Sequence, residues 1–414
     1  MTRKIVQLIG VLCLFLAGCS FSYATPNELF QPPQLNGEDE NIQHNIINKL
    51  PESAVLMAPN KASPKQNVFK EDLNNDGKEE IVLLFKEASY ANSLVVHVYE
   101  YQEKWELTSK VELAGYEVDS FKMVPGETGA TGFVGVTNAN EQNKQLHVVH
   151  LDADSLKKVE SYPYLELVWQ DMNDDKKEDL TLIELERNER AEATLYEINE
   201  GRLSVHSSVK LDPYVNQYFN IEGGRVSEHE KGIWVDQQVG AHSGSSALLV
   251  VDDGRLMNVF QNRISETYKP YPVESRDVNG DNILEMGIEM SPPEQFTSMA
   301  DTPWIQEFYQ WQGLEDGRLQ LVQRRYSSFE DGFYIDFPSS WPKDLNIEKE
   351  SNEVTIVEYP SSEPLYRIRW KDREDWKPER GYTRIGQTEK HIYEVDETYS
   401  TETDLFHLWA EELD

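Results

Sequence analysis

Three short acidic segments constrain this chain more than any other feature in it. Asp72-Leu73-Asn74-Asn75-Asp76-Gly77-Lys78-Glu79-Glu80-Ile81, Asp171-Met172-Asn173-Asp174-Asp175-Lys176-Lys177-Glu178-Asp179-Leu180 and Asp277-Val278-Asn279-Gly280-Asp281-Asn282-Ile283-Leu284-Glu285-Met286 share one pattern, Asp-x-Asn-x-Asp-x-x-x-acid-apolar. Each runs into an apolar stretch, such as Ile81 to Phe85 or Leu180 to Leu185. Further strand-like runs follow at Leu94 to Tyr101, Ala193 to Ile198 and Trp304 to Trp311. A second marker, Gly-Arg-Leu, recurs at 201, 254 and 317, where it reads as a hairpin turn entering a strand.

The spacing of these segments predicts the architecture. They begin 99 and 106 residues apart, about twice the ~40–50 residues of one four-stranded blade. The stretches 113–162 and 211–264 then read as copies that keep the strands and lack the acidic loop. The result is a mainly β fold, a β-propeller-like repeat domain of about five blades over 41–326. Radial repetition protects sheet edges, which favours a propeller over an open stack of hairpins. A short helix over Asn41 to Leu50, with Ile42, Ile46, Ile47 and Leu50 at helical spacing, precedes it. Residues 327–414 read as a small α+β domain, with strands at Val354 to Tyr359 and Leu365 to Trp370. Trp376, Tyr382 and Ile385 are candidates for its core, and a closing helix is expected over Thr403 to Leu413.

The acidic loops carry the chemistry. Side-chain oxygens at positions 1, 3, 5 and 9, with the carbonyl at position 7, can converge on one point, and calcium takes six to eight such hard oxygens. The candidates are Asp72, Asn74, Asp76, the Lys78 carbonyl and Glu80; Asp171, Asn173, Asp175, the Lys177 carbonyl and Asp179; and Asp277, Asn279, Asp281, the Ile283 carbonyl and Glu285. An EF-hand is excluded: it needs a glutamate at position 12, where Leu83, Leu182 and Ile288 stand, and helices rather than strands on both sides. Plain Asx-turns, with side chains bonded to nearby amides and no metal, are the alternative. Crowding of carboxylates in one turn weighs against it. Lys176 and Asn282 occupy the sharp bend where Gly77 stands in the first loop, so the first loop ranks as the best site and the second as the weakest.

These loops resemble the FG-GAP and VCBS-type repeats of integrin-α-like propellers. The resemblance spans about 260 residues through three ten-residue loops. It implies that each loop staples two strands of a blade around calcium. With Gly332-Phe333-Tyr334-Ile335-Asp336-Phe337-Pro338-Ser339-Ser340-Trp341, the arrangement is also similar to a group of Firmicute surface lipoproteins.

The ends point outside the cell. Arg3 and Lys4, the apolar run Ile5 to Leu16, and Leu16-Ala17-Gly18-Cys19 resemble a lipoprotein signal peptide over 1–18 that is cut before a lipidated Cys19. An ordinary secretory signal with a chance cysteine, or an uncleaved anchor, is the competing reading. Residues 19–40, with Pro26, Pro32, Pro33 and Gly37, read as a flexible stalk. The expected location is extracytoplasmic, anchored to the bacterial cell membrane by lipid on Cys19. The other cysteine, Cys13, lies in the discarded run, so no disulfide or cysteine–metal site is expected. A net charge of −35 repels phosphate backbones, so nucleic acid is not a partner.

Catalytic signals are weak. Gly240-Ala241-His242-Ser243-Gly244-Ser245-Ser246 lacks the order of a nucleophile elbow and reads as a hairpin tip, with a binding loop as its functional alternative. His147 and His150 lie three apart on a strand and so face opposite ways. Trp304, Phe308, Tyr309 and Trp311 read as blade core before they read as a sugar platform. The favoured function is a non-catalytic surface binding or scaffold module for a protein or glycan ligand. A glycan-active propeller enzyme and a structural, chaperone-like envelope protein are the other two classes.

Overall fold

A computed structural model of the chain describes residues 41–409, apart from 43, 63, 88–91, 127–128, 139–143, 153–154, 200–201, 295, 297, 300–301 and 401. The signal-peptide, Cys19 and stalk assignments lie outside the described residues. Nearly all regular structure is β-strand, in sheets of four or five strands.

The first sheet contains β1 (Ala54–Leu56), β2 (Val68–Glu71), β3 (Glu80–Glu87), β4 (Ser93–Tyr101) and β5 (Trp105–Ala114). The second is β6 (Glu117–Gly126), β7 (Gly129–Thr137), β8 (Lys144–Asp152) and β9 (Ser155–Tyr164). The third is β10 (Glu166–Gln170), β11 (Asp179–Glu186), β12 (Arg190–Asn199) and β13 (Arg202–Lys210). The fourth is β14 (Gln217–Arg225), β15 (Lys231–Gln238), β16 (Gly244–Asp252) and β17 (Arg255–Asn258), with β18 (Tyr268–Lys269) against β16. All these pairs are antiparallel, and hairpins run in succession through β3–β5, β6–β9, β10–β13 and β14–β17, because those connections are short; β1 and β2 both lie along β3. Both stretches expected to be loop-less copies form such sheets.

Strands buried on both faces tie neighbouring sheets together. In β3, Val82 and Leu84 enter a core shared with Val118, Val134 and Val149 of the second sheet. Ile81 and Leu83 of the same strand point the other way, against Ile42 and Ile46 of the N-terminal helical segment. Leu180 and Leu182 of β11 meet Phe133, Leu146 and Val148, whereas Ile183 joins Ile233, Val235 and Leu249 of the fourth sheet. Trp234 and Leu248 then pack on Met286 and Trp311 of the fifth. Each such buried aliphatic or aromatic side chain contributes about 1.5–3 kcal/mol. The cores thus run in sequence from sheet to sheet. Among the described clusters, none joins the first sheet to the fifth.

The fifth sheet brings β19 (Met286–Met290), β20 (Ile305–Trp311) and β21 (Leu319–Ser328) together with β22 (Phe333–Phe337) and β28 (Phe406–Leu408). The segment expected to close the chain as a helix holds a short strand over Phe406–Leu408 instead, with Phe406 opposite Ile335 and Leu408 opposite Phe333. Phe406 is buried against Phe333 and Tyr393, and this pull into a β core outweighs any local helical preference. The last sheet, β23 (Leu345–Glu350), β24 (Glu353–Glu358), β25 (Pro364–Asp372), β26 (Tyr382–Gln387) and β27 (His391–Asp396), packs on β22 through Leu345, Ile356, Ile368 and Val395. Hydrogen bonding runs unbroken across residue 327 from β21 to β22.

Candidate functional site: three acidic loops and a cavity

Each acidic loop leads into the strand that follows it in one register: the first joins β2 to β3, the second joins β10 to β11, and the third follows an isolated bridge and runs into the strand Met286–Met290. The residue before each loop faces its ninth position: Glu71 opposite Glu80, Gln170 opposite Asp179 and Arg276 opposite Glu285. The turn is made by left-handed residues at positions 4 and 6. These are Asn75 and Gly77 (φ 58° and 84°), Asp174 and Lys176 (60° and 69°), and Gly280 and Asn282 (80° and 63°). Glycine and asparagine accept this conformation easily, whereas Lys176 carries strain of about 1–2 kcal/mol.

The internal hydrogen bonds repeat as closely as the backbone. Position 6 donates its N–H to the first aspartate: Gly77 to Asp72 at 2.9 Å, Lys176 to Asp171 at 3.2 Å, and Asn282 to Asp277 at 2.9 Å. The position-3 side chain accepts from position 5, at 2.9 Å in Asn74, Asn173 and Asn279 alike. Position 5 accepts from position 7, at 2.8 Å in Asp76, Asp175 and Asp281. The ninth-position carboxylates accept from position 2: Glu80 from Leu73, Asp179 from Met172, and Glu285 from Val278. The donors here are backbone N–H groups of Lys78, Lys177 and Ile283 and their neighbours, so the carbonyls of those residues are not consumed by these bonds. Among the described residues, no three His, Cys, Asp or Glu side chains are already gathered as a metal-holding group.

The loops differ in charge balance. Glu80, Asp179 and Glu285 are all buried. Burial raises the carboxyl pKa of each, and Asp72 and Asp76, Asp171 and Asp175, or Asp277 and Asp281 push it further in the same direction. The amide bond from position 2 opposes this in all three loops, joined in Glu285 by its own backbone N–H. The strongest case is Glu285, which has no solvent exposure, is pushed up to about 7, and has an Oε1 without any hydrogen-bond partner. In the second loop, Lys231 on β15 reaches Asp171 Oδ2 at 2.9 Å and Asp174 Oδ1 at 2.8 Å. Burial alone would raise the Asp171 pKa, but the Lys231 bond and charge outweigh it and leave the carboxyl below its usual range. Sequence reasoning missed Lys231, because its contact to the loop crosses 60 residues and two sheets.

The remaining candidates fall where their surroundings put them. His147 is buried and bonded to Ser161 Oγ and the Ala114 carbonyl, while His150 contacts Thr131. The two do not meet. Phe308 and Trp311 are fully buried core, whereas Trp304 lines a cavity of about 530 Å³ against the fifth sheet. Gly240 to Ser243 lie at the tip of the β15–β16 hairpin, whereas Gly244 to Ser246 already pair in β16; the His242 ring stacks on Tyr271 in the cavity wall at 5.5 Å. The cavity also holds Glu289, which no spacing pattern marked.

No family model matches the chain, and no curated protein matches it. Among solved structures it has likenesses to Saccharomyces cerevisiae Sqt1, at 9% identity and a TM-score of 0.31, covering 83% of this chain and 89% of that one. A Lactobacillus plantarum protein follows, at 8% identity and a TM-score of 0.30, with 75% and 93% covered. The β-propeller domain of the Trilobed protease from Pyrococcus furiosus gives 11% identity and a TM-score of 0.28, with 73% and 93% covered. At these scores the likenesses carry no argument.

Proposed function

We propose that this protein is a lipid-anchored extracytoplasmic binding module, built from five blade-like sheets of a β-propeller-like array and stapled by calcium in its acidic loops. The observation that carries the calcium reading is Glu285: a buried carboxyl with one oxygen unpartnered, at the foot of a loop that places two further aspartates beside it. A bound cation would supply positive charge to carboxyls that burial and crowding otherwise disfavour. Asp277, Asn279, Asp281, the Ile283 carbonyl and Glu285 would hold it in the third loop, and Asp72, Asn74, Asp76, the Lys78 carbonyl and Glu80 in the first. In the second, Lys231 already supplies a positive charge to Asp171, so Asn173, Asp175, the Lys177 carbonyl and Asp179 are the poorest set.

Thermal melting with calcium or chelator tests this. A ligand bound only by the folded state adds RT ln(1 + [L]/Kd), about 1.4 kcal/mol at ten times Kd. Millimolar calcium is expected to raise Tm, and Asp281→Ala or Asp76→Ala to blunt the rise more than Asp175→Ala. An equal rise with magnesium would point to charge screening instead, since magnesium demands a tighter octahedral cage. The anchor has its own test. Cys19→Ser is expected to move the protein from the membrane to the soluble fraction without changing its melting, because acyl chains are the only membrane affinity proposed for so acidic a chain.

A further inference from the structure

The cavity against the fifth sheet has the make-up of a ligand site, and nothing in the acidic loops accounts for it. We propose that it binds a neutral sugar ring of a glycan, a reading that rests on the binding-module role above and gives that role a ligand class.

Three adjacent strands put polar side chains on one stretch of the cavity wall. Glu289 on β19 stands opposite Gln306 on β20. The Ser327 hydroxyl on β21 donates to Gln306 Oε1 at 2.8 Å, and Gln306 Nε2 reaches Glu289 Oε1 at 3.5 Å. Glu289 is 8% exposed, and its Oε2 has no partner. Trp409, also in the wall, has an indole N–H without one. A buried acceptor and a buried donor left unmade each cost roughly 1–3 kcal/mol. The ligand that satisfies both kinds must donate and accept. Hydroxyl groups do both, whereas an ammonium only donates and a phosphate or carboxylate mainly accepts.

Charge and shape point the same way. Arg276 lies over the Trp409 ring at 5.6 Å, and its guanidinium in the wall opposes a cationic guest. Glu274 and Glu289 in the same wall, within a chain of net charge −35, oppose an anionic one. The apolar surface is aromatic and already braced. Tyr271 is held between His242 and Trp304, with ring centroids 5.5 and 6.0 Å away, and Phe329, 69% exposed, stacks on Trp409 at 5.4 Å. Rigid aromatic faces offer the CH faces of a sugar ring a large contact at little entropic cost. The volume, about 530 Å³, lies within the roughly 300–1,000 Å³ of small-ligand sites.

Affinity electrophoresis of the full chain through soluble neutral polysaccharides of glucose, xylose, mannose, galactose and N-acetylglucosamine tests the proposal. At least one is expected to retard the protein. Trp304→Ala is expected to weaken that binding at least tenfold and Glu289→Gln at least threefold, with the calcium response unchanged in both. Because Glu289→Gln keeps the side-chain shape, it carries the test alone if Trp304→Ala does not fold. The proposal is overturned if no polysaccharide retards the wild type, if Glu289→Gln binds as well as wild type, or if tetramethylammonium displaces the glycan. Calcium stabilisation without glycan retention would sink this inference and leave the loop reading standing. Retention without a calcium response would do the reverse.

Discussion

The Lys231 ammonium lies 2.9 Å from the Asp171 carboxylate, so the second acidic loop receives its positive charge from the neighbouring sheet. Lys231 opens β15 of the fourth sheet, and Asp171 opens the loop of the third, so the pair also ties two sheets together. A lysine contributed by the chain is permanent, unlike an ion taken from solution. It also removes the need for good loop geometry, which fits the presence of strained Lys176 at the bend.

Lys231→Met should therefore convert a self-sufficient loop into a cation-hungry one. In chelator the variant is expected to lose about 0.5–1 kcal/mol, a modest figure because Lys231 and Asp174 are partly exposed. In millimolar calcium much of that loss is expected to return, and the calcium-induced rise in Tm should exceed the wild-type rise. Melting of both proteins with and without calcium checks it. An unchanged calcium increment would show that the second loop cannot hold the ion even when freed.

Glu285→Gln separates an ion site from a plain Asx-turn. The amide oxygen can still accept the Val278 N–H, which the carboxylate takes at 3.0 Å, so the turn itself survives. Without calcium the variant should melt at or above wild type, since a buried, unpaired charge has been removed. With calcium it should melt below wild type, having lost a ligand. Such a crossing of the two melting temperatures is the expected result. A variant that melts higher under both conditions would leave the loop as a turn without metal.

Much of this organisation was legible in the sequence, and the illegible part has one cause. Periodicity located β3, β4, β11, β12 and β20 to within a few residues, and the spacing of the acidic loops predicted sheets where no loop remained. Lys176 and Asn282, placed by the pattern at the bend where Gly77 stands, do share its positive φ. What failed was distant in sequence. The strand at Phe406–Leu408 looked like a helix because its partners, Phe333 to Ile335, lie some 70 residues earlier. Lys231, Glu289 and Tyr271 carried no local signature, since each matters only through what another strand or loop brings against it.

Lys269 and Asp236 form the most deeply buried ion pair described, at 2.7 Å with neither side chain exposed. Ser275 and Asn220 also donate to Asp236, so the carboxylate is satisfied only while its whole surroundings are intact. Burial pulls the Lys269 pKa down, and Asp236 opposes that. Lys269→Met is expected to destabilise by about 3–5 kcal/mol, because it strands a buried carboxylate. Adding Asp236→Asn to it should recover part of the loss. Urea denaturation of the single and double variants reads both numbers. If the double variant is no more stable than the single, the cost lies in lost packing rather than in the stranded charge.

Glu289 gives a pH dependence whose sign is fixed by its surroundings. Burial pushes its carboxyl from the ordinary 4.5 up to about 7, with the Gln306 contact opposing the shift. Between those values the folded chain keeps a proton that the unfolded chain has released, so folding loses stability as pH rises through this window. The effect is absent below the unfolded value and complete above the folded one. At about 1.4 kcal/mol per unit, ionisation in place costs on the order of 3 kcal/mol. Glu289→Gln carries no such proton. Its stability relative to wild type should therefore grow between pH 5 and pH 8, while other titrating groups cancel in the comparison. Urea denaturation of both proteins at the two pH values measures that growth. A difference that stays constant would mean that Glu289 ionises as freely in the fold as in water, and the polar row on the fifth sheet would then be an ordinary solvated surface.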